Sequence, residues 1–130
     1  MDLYIGGKAQ GKLALAQDRY KNALLCTGEA PAETITCEKD QTLIWDQFHV
    51  FMKKALADGK EPAKIWEEVS EILNRFPNLI VISDEIGNGI VPMDPMERRY
   101  REETGRILCK LAAQAKTVER VFAGIPQKIK

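Results

Sequence analysis

The residues best suited to chemistry lie in the run Leu-Tyr-Ile-Gly-Gly-Lys-Ala-Gln-Gly-Lys-Leu at positions 3–13. Gly6, Gly7, Lys8, Ala9, Gln10, Gly11 and Lys12 satisfy G-x-x-x-x-G-K-[ST] up to its last position, where Leu13 stands in place of a hydroxyl. In such a loop main-chain N–H groups cradle phosphates, the lysine reaches the β and γ oxygens, and the hydroxyl holds Mg²⁺. This chain keeps the anion cradle and the lysine and lacks one metal ligand. The candidate phosphate contacts are therefore Gly6 through Leu13, with Lys12 as the charged group. The plain alternative is a glycine turn that serves only backbone geometry.

A second candidate pair is Asp84-Glu85, directly after the apolar run 79–83. Carboxylates at the carboxyl end of a strand face the ligand crevice of open α/β sheets. There they can hold Mg²⁺, directly or through water, or take a proton from a substrate hydroxyl. Asp84 and Glu85 are thus candidates both as catalytic and as metal-binding residues; the alternative is a solvated strand end. Arg98, Arg99, Arg101 and Arg106 share one helix with Glu97, Glu102 and Glu103, a pattern that also suits a solvated face. His49, among Phe48, Val50 and Phe51, reads as a packed helix histidine, and Cys109, Trp45 and Trp66 read as apolar packing residues.

The elements that must position these groups alternate between strand and helix. Residues 3–5 read as a buried strand entering the glycine turn, and 12–21 as the following helix, rich in good formers. Residues 23–26 and 34–36 read as strands separated by a loop with Gly28 and Pro31. The apolar spacing over 43–56 predicts a helix, with Asp40 or Thr42 as its cap. Pro62 opens another helix that stops at Pro77 and turns Ile65, Trp66, Val69, Ile72, Leu73 and Phe76 inward. Residues 79–83 form the clearest strand. A glycine-bearing loop covers 86–92 and a long helix 95–115, with Met96, Tyr100, Ile107, Leu108, Leu111 and Ala115 inward. Residues 118–123 read as the final internal strand. The expected architecture is α/β, a mostly parallel sheet with helices on both faces.

Composition narrows the classes. A chain of 130 residues, 45% of them hydrophobic, suffices for one domain with a real core. Lys plus Arg and Asp plus Glu both number 19, so no basic excess drives nucleic-acid binding. Met1-Asp2 has no basic leader, and no apolar run is long enough to cross a bilayer. The three cysteines have no C-x-x-C spacing, which points to reduced thiols in a cytoplasmic protein.

The run Ser-Asp-Glu-Ile-Gly-Asn-Gly-Ile-Val-Pro at 83–92 resembles the "NEVG-x-GIVP" signature of the adenosylcobinamide kinase / adenosylcobinamide-phosphate guanylyltransferase family. Arg98, Tyr100, Arg101, Glu102, Gly105 and Arg106 are similar to its "R-x-F-R-D-x-x-G-R" helix. Gly6-Gly7 and Gly11-Lys12 resemble its "GG-x-x-SGKS" loop, and Asp40 and Trp45 echo its "DCLTLW" segment. The resemblance implies a P-loop fold, ATP or GTP with Mg²⁺, adenosylcobinamide as acceptor, a homo-oligomer and a role late in cobalamin assembly. Family members phosphorylate the corrinoid side chain and then transfer GMP through a guanylylated histidine.

This chain departs from the family at stated positions. Leu13 replaces the loop serine, Asp84 replaces the asparagine of the signature, and Leu108-Cys109 replaces a later "NQ" pair. No histidine lies between Cys26 and Thr36, where the acceptor is expected. A covalent intermediate needs its nucleophile, which disfavours guanylyl transfer. Two readings follow. One is a phosphotransferase confined to the kinase half-reaction, with Lys12 on the phosphoryl charge and Asp84 or Glu85 on metal or hydroxyl. The other is a catalytically impaired nucleotide- or corrinoid-binding relative, or a partner subunit.

Overall fold

The computed structural model describes residues 1–86 and 94–130. Its six strands form one sheet in the order β2-β3-β4-β1-β5-β6. Strand β1 (Asp2–Gly6) is central and pairs in parallel with β4 (Leu79–Asp84) on one side and β5 (Thr117–Phe122) on the other. Strand β3 (Leu43–Asp46) joins β4 to β2 (Leu24–Thr27), again in parallel. Only the edge strand β6 (Ile125–Lys128) runs antiparallel, returning from β5 through Ala123 and Gly124, both in the left-handed region. That two-residue, positive-φ turn matches the right-handed twist of a tight hairpin.

Alternation along the central strands divides the core. Tyr4, Ile44, Ile80 and Ile82 face helix α1 (Lys12–Arg19) and form a small cluster with Ala16. Leu3, Leu43, Trp45, Leu79 and Val81 face the other way. There they meet α2 (Phe48–Ala57), α3 (Pro62–Arg75) and α4 (Pro95–Gln114) in the main core. Among the described residues helices therefore cover both faces, one on the first and three on the second. Pro62 sits in the first turn of α3, where its missing N–H costs nothing, and Ile65, Val69 and Ile72 repeat at i, i+4, i+7 toward the core. In α4 the Asp94 carboxylate accepts the Met96 N–H at 2.9 Å and caps the helix.

Four expectations change. Residues 43–56 are not one helix: Leu43–Asp46 is a fully buried strand, Gln47 turns the chain at φ 57°, and α2 begins at Phe48. A run buried on both faces carries no period, so helix and strand look alike there, and the vacant pairing position between β2 and β4 decides. Residues 34–36 form no strand. Ile35 N–H closes a local turn onto Ala32 O at 3.0 Å, and its side chain packs on the main core. The strand at 117–122 is followed by β6. Cys109 and Met96 are exposed, because α4 buries the Tyr100, Thr104, Ile107, Leu111 stripe instead. The loop read over 86–92 lies, from Gly87 onward, outside the described residues.

Candidate functional site

The turn from β1 into α1 is held by sterics as well as by sequence. A Cβ on Gly6 would lie 2.4 Å from the Val121 carbonyl oxygen of β5, a contact no side chain survives. Gly11 adopts φ 89° and would bring a Cβ to 3.1 Å from Gly124 Cα. Both glycines are thus required by the close approach of the β5–β6 hairpin and, for Gly11, by a left-handed conformation. Gly7 has no such constraint, since its nearest neighbour would be Gln10 Cγ at 3.5 Å. Gln10 fastens the loop to the same hairpin: its carbonyl accepts the Gly124 N–H and its side-chain Oε1 accepts the Ala123 N–H, each at 2.8 Å. Gly11 provides no side-chain cap for the first N–H groups of α1, and an uncapped helix start is what an anion site needs.

Lys12 is only 6% exposed. Its ammonium donates to Gly6 O at 3.2 Å, Gly7 O at 2.6 Å and Asp84 Oδ1 at 2.8 Å. An ammonium has three N–H donors, so each has an acceptor. Asp84 ends β4 beside Gly6 in register, which explains why the pair forms.

Two further groups complete the cleft. His49, in the first turn of α2, accepts the Asp84 main-chain N–H at its Nδ1 at 3.0 Å, and its Nε2 lies 3.4 Å from Asp84 Oδ2. Burial, and secondarily the Lys12 charge, hold the His49 pKa below its usual value, against the opposing pull of Asp84. The neutral ring with Nδ1 accepting must carry its hydrogen on Nε2. Asp46 ends β3 and is buried; burial pushes its carboxyl pKa up, moderated by the Gln47 N–H and by Lys12 and His49. These groups and loop residues Lys8 to Ala14 line a cleft of about 480 Å³ at the carboxyl ends of the strands. That position and size suit a small ligand of an open α/β sheet.

The structure brings Gly6 to Leu13 together with Asp84. It places Glu85 elsewhere: its Oε1 meets Arg120 Nε at 2.8 Å on the α4 side of the sheet, in a separate groove with Ile5, Ile86 and Leu108. Asp40, expected to echo the family's aspartate, lies in an exposed loop, whereas Asp46 stands at a strand end in the cleft. Asp46 and His49 were missed as site residues because the expected helix over 43–56 hid the strand end between them. The available signal was the left-over polar pair Asp46-Gln47 inside an otherwise apolar run.

A divalent cation in such a loop needs the residue after the lysine and a strand-end carboxylate. Leu13 presents carbon, and packs against the Tyr4, Ile80, Ile82 cluster. Asp84 has one oxygen on Lys12 and the other facing His49. Among the described residues no three His, Cys, Asp or Glu side chains group as a metal site. Asp46 brings the other strand-end carboxylate to the cleft, but it accepts the Gln47 N–H and burial disfavours its charged form, and with Leu13 beside it this single group does not fit the cation.

A glycine-lysine loop between a parallel strand and a helix, at the carboxyl edge of a mostly parallel sheet, defines the P-loop nucleotide-binding class. Residues 12–129 match the family described as cobinamide kinase / cobinamide phosphate guanyltransferase, and the chain belongs to that family, whose fold is that of P-loop NTPases. It is 34% identical over 65 residues to the bifunctional adenosylcobalamin biosynthesis protein CobP of Pseudomonas aeruginosa, covering 49% of this chain and 38% of that protein. It is 40% identical over 52 residues to the bifunctional adenosylcobalamin biosynthesis protein CobU of Salmonella typhimurium, and likewise to that of Escherichia coli, covering 40% of this chain and 29% of each relative. The matched stretch thus spans about a third of the length of these curated relatives. No helix among the described residues is long and apolar enough to cross a membrane.

Proposed function

We propose that this chain is a nucleotide-binding member of the cobalamin-assembly family, holding the phosphates of ATP or GTP on the loop from Gly6 to Leu13 and meeting adenosylcobinamide or its phosphate at the same strand ends. It does so without guanylyl transfer and with impaired phosphoryl transfer. The observation that carries this reading is the ion pair between buried Lys12 and half-buried Asp84 beside Leu13. The lysine is bonded to two carbonyls of the loop, one of which a phosphate would replace, while the carboxylate that would serve a metal serves the lysine. His49 supports the absence of guanylyl transfer: its Nδ1 lone pair is taken by the Asp84 N–H and its Nε2 bears the hydrogen, so neither nitrogen offers a lone pair to a nucleotide phosphorus. The role in cobalamin assembly is drawn from the family and from its relatives, which are named as adenosylcobalamin biosynthesis proteins.

The second reading is the kinase half-reaction, favoured by one feature: the Asp84 carboxylate lies in the cleft beside Lys12, where a proton acceptor for a substrate hydroxyl belongs. One experiment separates them. The purified chain is mixed with Mg·ATP or Mg·GTP and adenosylcobinamide, corrinoid phosphorylation is followed by chromatography, and nucleotide binding by calorimetry. Binding without product is the expected result; multiple turnovers establish the kinase, and absence of binding removes both readings.

A further inference from the structure

We infer that the phosphate loop of this chain grips its ligand without a divalent cation, sharing Lys12 between a phosphate oxygen and Asp84, and that its preferred ligand is a nucleoside diphosphate rather than a triphosphate. This rests on the loop being a phosphate site, as proposed above, and specifies what that site accepts.

The donor set comes first. In a cation-dependent loop the lysine and the metal divide the work: the lysine faces the phosphates, and the strand-end carboxylate faces the metal, directly or through water. Here that carboxylate faces the lysine. Asp84 Oδ1 is 2.8 Å from Lys12 Nζ, and His49 Nε2 approaches Oδ2 at 3.4 Å. A cation that took Asp84 would have to displace an ammonium that is 7% exposed at its side chain, leaving that charge buried with carbonyl partners alone. Leu13 then offers the cation nothing in return, because its side chain belongs to the α1 cluster.

Charge balance comes second. Among the described residues the positive groups at the cleft are Lys12, already opposed by Asp84, the rim residue Lys8, and the partial charge of the α1 amino terminus. Asp46 and Asp84 both line the cleft on the other side of the ledger of charge. Magnesium normally offsets much of a triphosphate's charge. With no cation to do so, each added phosphate brings repulsion that these few positive groups do not cancel. A diphosphate places its oxygens on the amides and the lysine and stops there.

The test is calorimetric titration of the full chain with GDP, ADP, GTP and ATP, each in magnesium chloride and each in EDTA. The expected result is a diphosphate Kd that agrees within about threefold between the two buffers, with the triphosphate of the same base weaker in EDTA. Tightening of the diphosphate by magnesium of about tenfold or more would overturn the cation-free reading while leaving the loop a phosphate site. A triphosphate that binds as tightly as the diphosphate in EDTA would overturn the ligand preference. No binding in either buffer would overturn the phosphate site itself, and this inference with it. Leu13→Ser supplies the internal control: it should acquire magnesium dependence, and continued indifference would show that the missing hydroxyl is not the reason.

Discussion

Replacing Asp84 by Asn should make the protein less stable and its phosphate loop stickier, two effects of opposite sign from one atom. Lys12 Nζ now has acceptors at 3.2, 2.6 and 2.8 Å, the last of them charged. The amide keeps the shape of the side chain and removes the charge. A hydrogen bond to a charged partner is worth about 1.5–3 kcal/mol, and the Asp84 side chain is 19% exposed, which places the loss at about 2 kcal/mol. Unfolding entropy of about 2.1 cal/mol/K per residue gives roughly 0.27 kcal/mol/K for this chain, so Tm should fall by roughly 7 °C. The lysine released from its carboxylate can give a full charged hydrogen bond to a phosphate, worth about tenfold in affinity. Thermal melts followed by circular dichroism read the first effect and GDP calorimetry the second. If Tm is unmoved, the ion pair contributes nothing. If GDP binding weakens instead, Asp84 belongs to the ligand and not to the lysine, and the reasoning about the cleft is refuted.

Other perturbations probe separate parts. Gly6→Ala drives a methyl into the Val121 carbonyl at 2.4 Å and should cost about 3 kcal/mol or more by denaturant titration, whereas Gly7→Ala, with 3.5 Å to Gln10 Cγ, should change stability by less than about 0.5 kcal/mol. His49 has a folded pKa below its ordinary 6.5, so the unfolded chain takes up the proton first; stability should be unaffected by this group above about pH 6.5 and decline as pH falls from there through the lowered folded value. His49→Asn keeps an acceptor for the Asp84 N–H and removes that titration, so the decline relative to the variant, measured by urea melts at successive pH values, should be present only in the parent chain. Cys109 is exposed, while burial pushes the Cys26 thiol up to about 11; mass spectrometry after brief iodoacetamide treatment should find Cys109 modified well before Cys26.

Much of this molecule could be read before its structure, and the gaps have a common cause. Strand β1, its glycine turn and α1 declare themselves because turn chemistry and periodicity agree there. The same holds for α3, where Pro62 opens a clean i, i+4, i+7 stripe, and for the β-branched run of β4. The stretch from Leu43 to Asp46 is silent by comparison. All four residues are buried, so neither a two-residue nor a 3.6-residue repeat can emerge, and its identity depends on neighbours distant in sequence. Misreading that one strand hid the carboxylate at its end and set His49 in the middle of a helix rather than at its first turn. The Asp84-Glu85 pair shows another limit. Adjacent residues of a strand point to opposite faces, so at most one could enter the cleft; the sequence does not say which, and the partner Arg120 on β5 claims Glu85.

The bond between Gln10 and the Ala123-Gly124 turn joins residues 113 positions apart. Loop-closure entropy makes contacts of that span slow to form. During synthesis the amino-terminal residues of the loop emerge first, yet they acquire their final curvature only after β5 and β6 have docked beside β1. The earliest-made part of the cleft is therefore the last to mature. A nascent chain halted before residue 117 would carry every residue of the glycine-lysine motif and still lack the brace that gives it shape.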